Sequence, residues 1–241
     1  MRIALISDIH GNKVALDAVL ASLQQQPPER LICLGDVAAT GPQPREVLAQ
    51  LQRLACPIVM GNTDDWLLNP EPWSAEDEDG RAVLAIELWG AGQLTATERA
   101  FIRTFQPTVE VALDDGQSLL CYHGSPQSYN DIILPTTPEE ALAEFLADVE
   151  ANVLAGGHTH EPMVRVFGDK LLVNPGSVGL PRIQVGGEIW NPLWAEYAVL
   201  EVGNGQLHVE LRRAPIDFER LREAAYRSDM PHAELWLRDW R

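Results

Sequence analysis

Arg2-Ile3-Ala4-Leu5-Ile6-Ser7-Asp8-Ile9-His10-Gly11-Asn12 runs from an apolar segment straight into a carboxylate, an imidazole and a turn. The residues that follow, over 14–25, place Leu16, Val19, Leu20 and Leu23 at the 3.6-residue period of a helix. A strand, a polar loop and a helix in that order are the unit of an α/β protein, and in open α/β sheets ligands bind beyond the carboxyl ends of the strands. Asp8 and His10 stand at such an end.

The unit recurs. A strand over 30–34 leads to Gly35-Asp36 and then to a helix opened by Pro44, a residue suited to the first helical position, with Val47, Leu48, Leu51 and Leu54 on one face. A third strand, over 57–60, leads to Gly61-Asn62-Thr63-Asp64. An aspartate or Gly-Asn pair after one strand is ordinary turn chemistry; three in succession deliver ligand-type side chains to one end of a sheet.

Residues 65–106 differ in character, with Trp66, Trp73 and Trp89, a Pro70-Glu71-Pro72 break and the acidic run Glu76-Asp77-Glu78-Asp79. They read as a helical insertion and a candidate lid. Its helices are expected over about 81–89 and 95–105, the second with Thr95 and Glu98 as a capping box. Large aromatics are mostly buried, so the tryptophans are assigned to the core.

Farther on, strands over 108–113 and 118–122 flank Asp114-Asp115-Gly116, a hairpin turn, and the return strand ends at His123. A helix is expected over 139–148. A strand over 152–155 then runs into Gly156-Gly157-His158-Thr159-His160, where the glycines allow close approach and the histidines, two apart on an extended segment, share one side. A hairpin over 163–173 ends in Asn174-Pro175-Gly176-Ser177, with Arg182 beyond it. Strands over 196–202 and 206–212 precede a last helix, at about 217–227 within a C-terminal segment 213–241. His208 and His232 look incidental.

With 241 residues, 46% hydrophobic and 22% charged, the chain fits a single globular domain spanning 1–241. It has no basic leader and no apolar run of the roughly 20 residues that span a bilayer. Of three cysteines, an odd count, Cys33 and Cys121 lie in apolar strands. A soluble, cytoplasmic protein without membrane partners is expected. The formal charge of −17, 35 acidic against 18 basic residues, repels duplex nucleic acid but not a small phosphorylated ligand held by cations. A homodimer is compatible with the sequence.

Asp8-x-His10, Gly35-Asp36, Gly61-Asn62, His123 and Gly157-His158-Thr159-His160, each after a strand and in that order, resemble the motif set of calcineurin-like metallophosphoesterases over residues 3 to 182. The Gly61-Asn62-Thr63-Asp64 and Asn174-Pro175-Gly176-Ser177 forms are similar to small prokaryotic phosphodiesterases and diadenosine tetraphosphatase-like enzymes. The resemblance implies an α/β/β/α four-layer sandwich with two mixed sheets. It also implies two metal ions, one on Asp8, His10, Asp36 and His160, the other on Asp36, Asn62, His123 and His158, with Asp36 shared. Imidazole, carboxylate and amide without thiolate suit Mn²⁺ first, with Fe, Zn²⁺ and Ni²⁺ as alternatives. Such a pair activates a water and clamps phosphorus for in-line displacement.

The expected activity is hydrolysis of small nucleotide-like or dinucleoside polyphosphate diesters. Asp36, Asn62, His123 and Asp64 would be catalytic, and Asn62, His123, Arg182 and Trp66 would hold substrate. One position departs from the pattern: many family members carry His directly after the motif Asn, and this chain has Thr63, so Asp64 becomes the candidate acid if burial raises its pKa. A nuclease is disfavoured by the acidic charge. A catalytically weak scaffold on the same fold is disfavoured because all seven ligands are present.

Overall fold

The computed structural model describes residues 1–113 and 116–241. Asp114 and Asp115, assigned above to a hairpin turn, lie outside them. The first half alternates at first and then turns helical: β1 (Arg2–Ile6), α1 (Lys13–Leu23), β2 (Arg30–Cys33), α2 (Pro44–Leu54), α3 (Asn62–Leu68), α4 (Glu78–Gln93) and α5 (Ala96–Ile102). The second half holds β3 (Val109–Ala112), β4 (Ser118–Cys121), α6 (Glu139–Phe145), β5 (Val153–Ala155), β6 (Met163–Phe167), β7 (Lys170–Asn174), β8 (Ile183–Val185), β9 (Glu188–Trp190), β10 (Trp194–Gly203), β11 (Gln206–Pro215), α7 (Phe218–Arg227) and α8 (Ala233–Arg238).

Two larger sheets form, in the orders β11-β10-β1-β2 and β3-β4-β5-β7-β6, beside a separate β8-β9 pair. Both are mixed: β1 is parallel to β2 and antiparallel to β10, while β5 is parallel to β4 and β7, whose other neighbours are antiparallel. Alternation along each strand sorts side chains into three cores, which is how four layers arise. Ala4 and Ile6 of β1 face α1 and α2 in one core. Ile3 and Leu5 face the other way, against Val111, Leu119, Val153 and Val173 of the second sheet. Leu154 and Leu172 on the far side of that sheet meet Leu142 and Leu146 at α6. The expected sandwich is present.

Several expectations shift. The third strand, over 57–60, is reduced to single bridges, Cys33 to Ile58 and Val59 to Gln106. Asn62, read as a turn residue, opens helix α3; Gly61 has no side chain, and the return half of a capping box comes from Asp64, which accepts the Gly61 N–H at 3.2 Å. Thr95 and Glu98 do form the reciprocal box at the start of α5. Leu54 closes α2 at 37% exposure, beyond the buried stripe of Val47, Leu48 and Leu51. Trp73, placed in the core from sequence, is 41% exposed, whereas Trp66 and Trp89 pack partly buried against the first core. The C-terminal segment begins inside β11 and ends in α8, whose Trp236 is buried along with Trp240 just beyond it.

Candidate metal centre

Every proposed ligand sits just past a strand end or at a helix start. Asp8 and His10 follow β1, Asp36 follows β2, His123 follows β4, His158 and His160 follow β5, and Asn62 is the first residue of α3. Five of these seven hold left-handed backbone: Asp8 (φ 54°), His10 (47°), Asp36 (54°), His158 (67°) and His160 (57°). Such conformations cost a non-glycine residue about 1–3 kcal/mol each and persist only where surrounding structure imposes them. Here backbone hydrogen bonds impose them, from Asp8 N–H to Gly35 O (2.9 Å), His10 N–H to Asp36 O (2.9 Å) and Gly157 N–H to His123 O (2.9 Å). Close approach is needed as well. A Cβ on Gly157 would overlap Ser7 Oγ and lie 2.8 Å from Asp8 Oδ2.

The side chains converge as two groups, Asp8 with His10 and His160, and Asp36 with His123 and His158, the ligand atoms in each lying within 4.8 Å of one another. His160 Nε2 is 3.1 Å from His10 Nε2 and 3.2 Å from Asp8 Oδ1. Asn62 Oδ1 joins the second group, 3.0 Å from His123 Nε2. Between the groups stands Asp36, whose Oδ2 is 3.7 Å from His10 Nε2 and 3.4 Å from His123 Nε2. Its other oxygen accepts the Thr63 N–H at 3.0 Å.

Outer hydrogen bonds fix the imidazoles. His123 Nδ1 donates to Leu34 O (2.8 Å) and His160 Nδ1 to Leu180 O (2.7 Å), which leaves Nε2 of each facing inward as a lone-pair donor. In the neutral tautomer His123 Nε2 and Asn62 Oδ1 are then two acceptors at 3.0 Å, an arrangement that suits a proton or a cation between them. Asp8 Oδ1, fully buried, has no hydrogen-bond partner either. An orphaned buried carboxylate oxygen and inward-facing imidazole lone pairs fit divalent transition ions, and the thiolate-free set agrees.

The electrostatics divide the ligands: some stand in the form a metal takes, whereas His123 must first give up a proton. Burial alone would raise the Asp36 carboxyl and lower the His123 imidazole; their mutual attraction outweighs it, holding Asp36 far below the usual carboxylate range and pushing His123 up to about 10. For Asp8, burial is outweighed by His160, and its pKa falls. Burial dominates at His10, lowered to about 4, and with the neighbouring His123 it also lowers His158. A protein that holds some of these imidazoles neutral and its two aspartates ionised presents ligands in the forms that a metal takes.

The remaining sequence candidates are placed differently. Asp64 is fully buried, and its oxygens accept the N–H groups of Asp36 (2.8 Å), Val37 (2.9 Å) and Gly61 (3.2 Å). Burial, then the Asp36 charge, raise its pKa to about 7. Its bonds tie the Asp36 loop to the start of α3. Thr63 Oγ1 is buried without a partner. Trp66, one helical turn beyond Asn62, donates Nε1 to Glu71 O at 3.0 Å, and Arg182 is exposed two residues past Leu180. Asn174 and Ser177, which the sequence marks only as part of a polar loop, brace the ligand loops. Asn174 Nδ2 donates to Gly157 O (2.9 Å) and Ser177 Oγ to Asp8 O (2.8 Å). The signal available was their position in a polar loop at a strand end; their partners are more than 15 residues away in the chain.

Residues 1–204 match the family model described as the calcineurin-like phosphoesterase superfamily domain. MJ0912 of Methanocaldococcus jannaschii is 26% identical over 252 residues, covering 98% of this chain and 95% of its own. Phosphodiesterase YfcE of Escherichia coli K12 is 26% identical over 211 residues, covering 83% and 88%. In fold, the chain is similar to a metallophosphoesterase from Sphaerobacter thermophilus, with a TM-score of 0.73 at 23% identity and coverage of 99% and 98%.

Proposed function

Because this chain belongs to the calcineurin-like phosphoesterase superfamily and is thereby a phosphoesterase hydrolase, we propose that it cleaves small phosphodiesters, nucleotide-like or dinucleoside polyphosphate in kind, with two divalent ions, Mn²⁺ first among them. The observation that carries this reading is Asp36 Oδ2, within 3.7 Å of a histidine from each ligand group. When bound, such a pair of ions supplies Lewis acidity at phosphorus and a nucleophile from water at neutral pH. Asp8, His10 and His160 would hold one ion, Asn62, His123 and His158 the other, and Asp36 both. Asp64, with its oxygens occupied by backbone N–H groups, serves as a brace for Asp36, so a departing oxygen takes its proton from solvent. Arg182 and Trp66 are candidate contacts for the rest of the substrate, and the insertion over 65–106 is a candidate lid.

Elemental analysis after reconstitution with Mn²⁺, paired with turnover of a chromogenic diester and monoester, tests this. We expect two ions per chain and a preference for the diester. Asp36→Asn should empty both positions and lower turnover by roughly a thousandfold, whereas His10→Ala should leave one ion in place. A single ion per chain in the unmodified protein would refute the dinuclear reading.

A further inference from the structure

The turn 176–180 grips only one of the two ligand groups. Ser177 Oγ donates to Asp8 O and accepts the Leu180 N–H, both at 2.8 Å; Gly179 N–H also donates to Asp8 O, at 2.9 Å; and Leu180 O receives His160 Nδ1–H at 2.7 Å. Asp8 and His160 therefore hang from one turn. His123 is held instead by Leu34 O, and Asp36 by Thr63 N–H.

Beneath that turn lies Glu196 of β10, only 4% exposed. Its N–H donates to Ser177 O at 2.9 Å. Its Oε1 is tethered by Trp194 Nε1 (3.0 Å) and Arg213 Nε (3.3 Å), and Arg213 lies over the Trp194 ring. Its Oε2 is buried with no hydrogen-bond partner. Gly176 rests on that oxygen in left-handed conformation (φ 79°), and a Cβ there would overlap Glu196 Oε2. A buried carboxylate with one oxygen unsatisfied is costly to keep. Here it acts as a rigid wedge that keeps Gly176, and so the hydroxyl and carbonyl of the turn, in place.

We propose that Glu196 is a positioning residue for the Asp8, His10 and His160 group: by wedging the Gly176-Ser177 turn from below it sets the Asp8 main chain and the His160 tautomer, while Asp36 and His123 keep their separate anchors and His158 is reached only through its N–H on Asp8 Oδ2 at 3.1 Å. The consequence for ions rests on the dinuclear reading above; the consequence for His160 does not.

Two measurements separate them. Long-range ¹H–¹⁵N NMR of the metal-free protein reads the state of each imidazole: unmodified protein and Glu196→Gln should hold His160 with its proton on Nδ1, and Glu196→Ala should mix tautomers at His160 while the ring signals of His123 do not change. Mn²⁺ titration should then show one of two ions weakened tenfold to a hundredfold in Glu196→Ala, with Gln restoring most of the affinity. Val199→Ala, a core truncation on the same strand, controls for general loosening and should alter neither readout selectively. Glu196→Asp replaces the alanine variant if that chain does not fold. The proposal is overturned if His160 keeps its tautomer in the truncated variant, or if His123 and both ions are disturbed alike. If His160 alone loosens but the unmodified protein holds fewer than two ions, the dinuclear reading falls and the positioning role stands.

Discussion

His10 joins the strained backbone of the centre to its electrostatics. Its φ of 47° is one of five left-handed ligand positions, together about 5–15 kcal/mol of local strain, comparable with the whole stability of many domains. Its imidazole, buried among Asp8, Asp36, His123 and His160, has its pKa lowered to about 4, with burial the largest cause. A base whose folded pKa lies below its unfolded value of about 6.5 binds fewer protons in the folded state across that window. Its contribution to stability is thus full above about pH 6.5 and is lost as pH falls toward 4. Chemical denaturation of metal-free protein at several pH values should show His10→Asn relieved of this slope, the difference between variant and parent changing by about 3 kcal/mol over the window. Parallel curves would mean that His10 titrates normally. The residue types at these positions were legible in the sequence, because five short motifs in order leave few chemistries open. Their left-handed backbone was not, since it depends on cross-loop bonds such as His10 N–H to Asp36 O.

At the scale of elements, legibility followed locality. Amphipathic α1 and α2, the Thr95 capping box and the β10-β11 hairpin announce themselves within a dozen residues and fall where the patterns put them. The short α8 and the β8-β9 hairpin escaped, although Gly186-Gly187 between alternating residues was a hairpin signal. Long-range contacts hold these elements: Arg238 to Asp79 at 2.9 Å and Arg241 to Glu188 at 2.8 Å. Helix α3 escaped for the same reason, because the side chain that starts it, Asp64, also bonds Asp36 and Val37 across the loop. That double duty yields a prediction. Asp64→Ala strands three buried N–H groups, at about 1–3 kcal/mol each, so the metal-free variant should be less stable by on the order of 3 kcal/mol or more in urea denaturation. A general acid would behave otherwise: turnover would collapse while the denaturation midpoint stayed put.

For the whole molecule the deciding quantity is the distribution of its charge. Acidic residues outnumber basic ones 35 to 18, and the chain contains only two lysines, Lys13 and Lys170. Lys13 is paired with Asp17 at 2.5 Å, and Lys170 donates to Ala151 O at 3.1 Å. Several arginines are likewise engaged, Arg45 with Glu98 and Arg213 with Glu196 among them. Duplex binding at useful affinity draws on counterion release from several phosphates contacted by Lys or Arg, and much of the small cation complement among the described residues is already engaged by carboxylates or backbone carbonyls. Ions in the centre would be the principal positive charges, reaching one phosphate or two at a time. Asp36→Asn protein should accordingly bind a labelled DNA duplex only weakly by fluorescence anisotropy even at low ionic strength, with almost no dependence on salt. Sub-micromolar affinity that falls steeply with salt would restore a nuclease, because it would require a cationic track that the pairing of Lys13, Arg45 and Arg213 argues against.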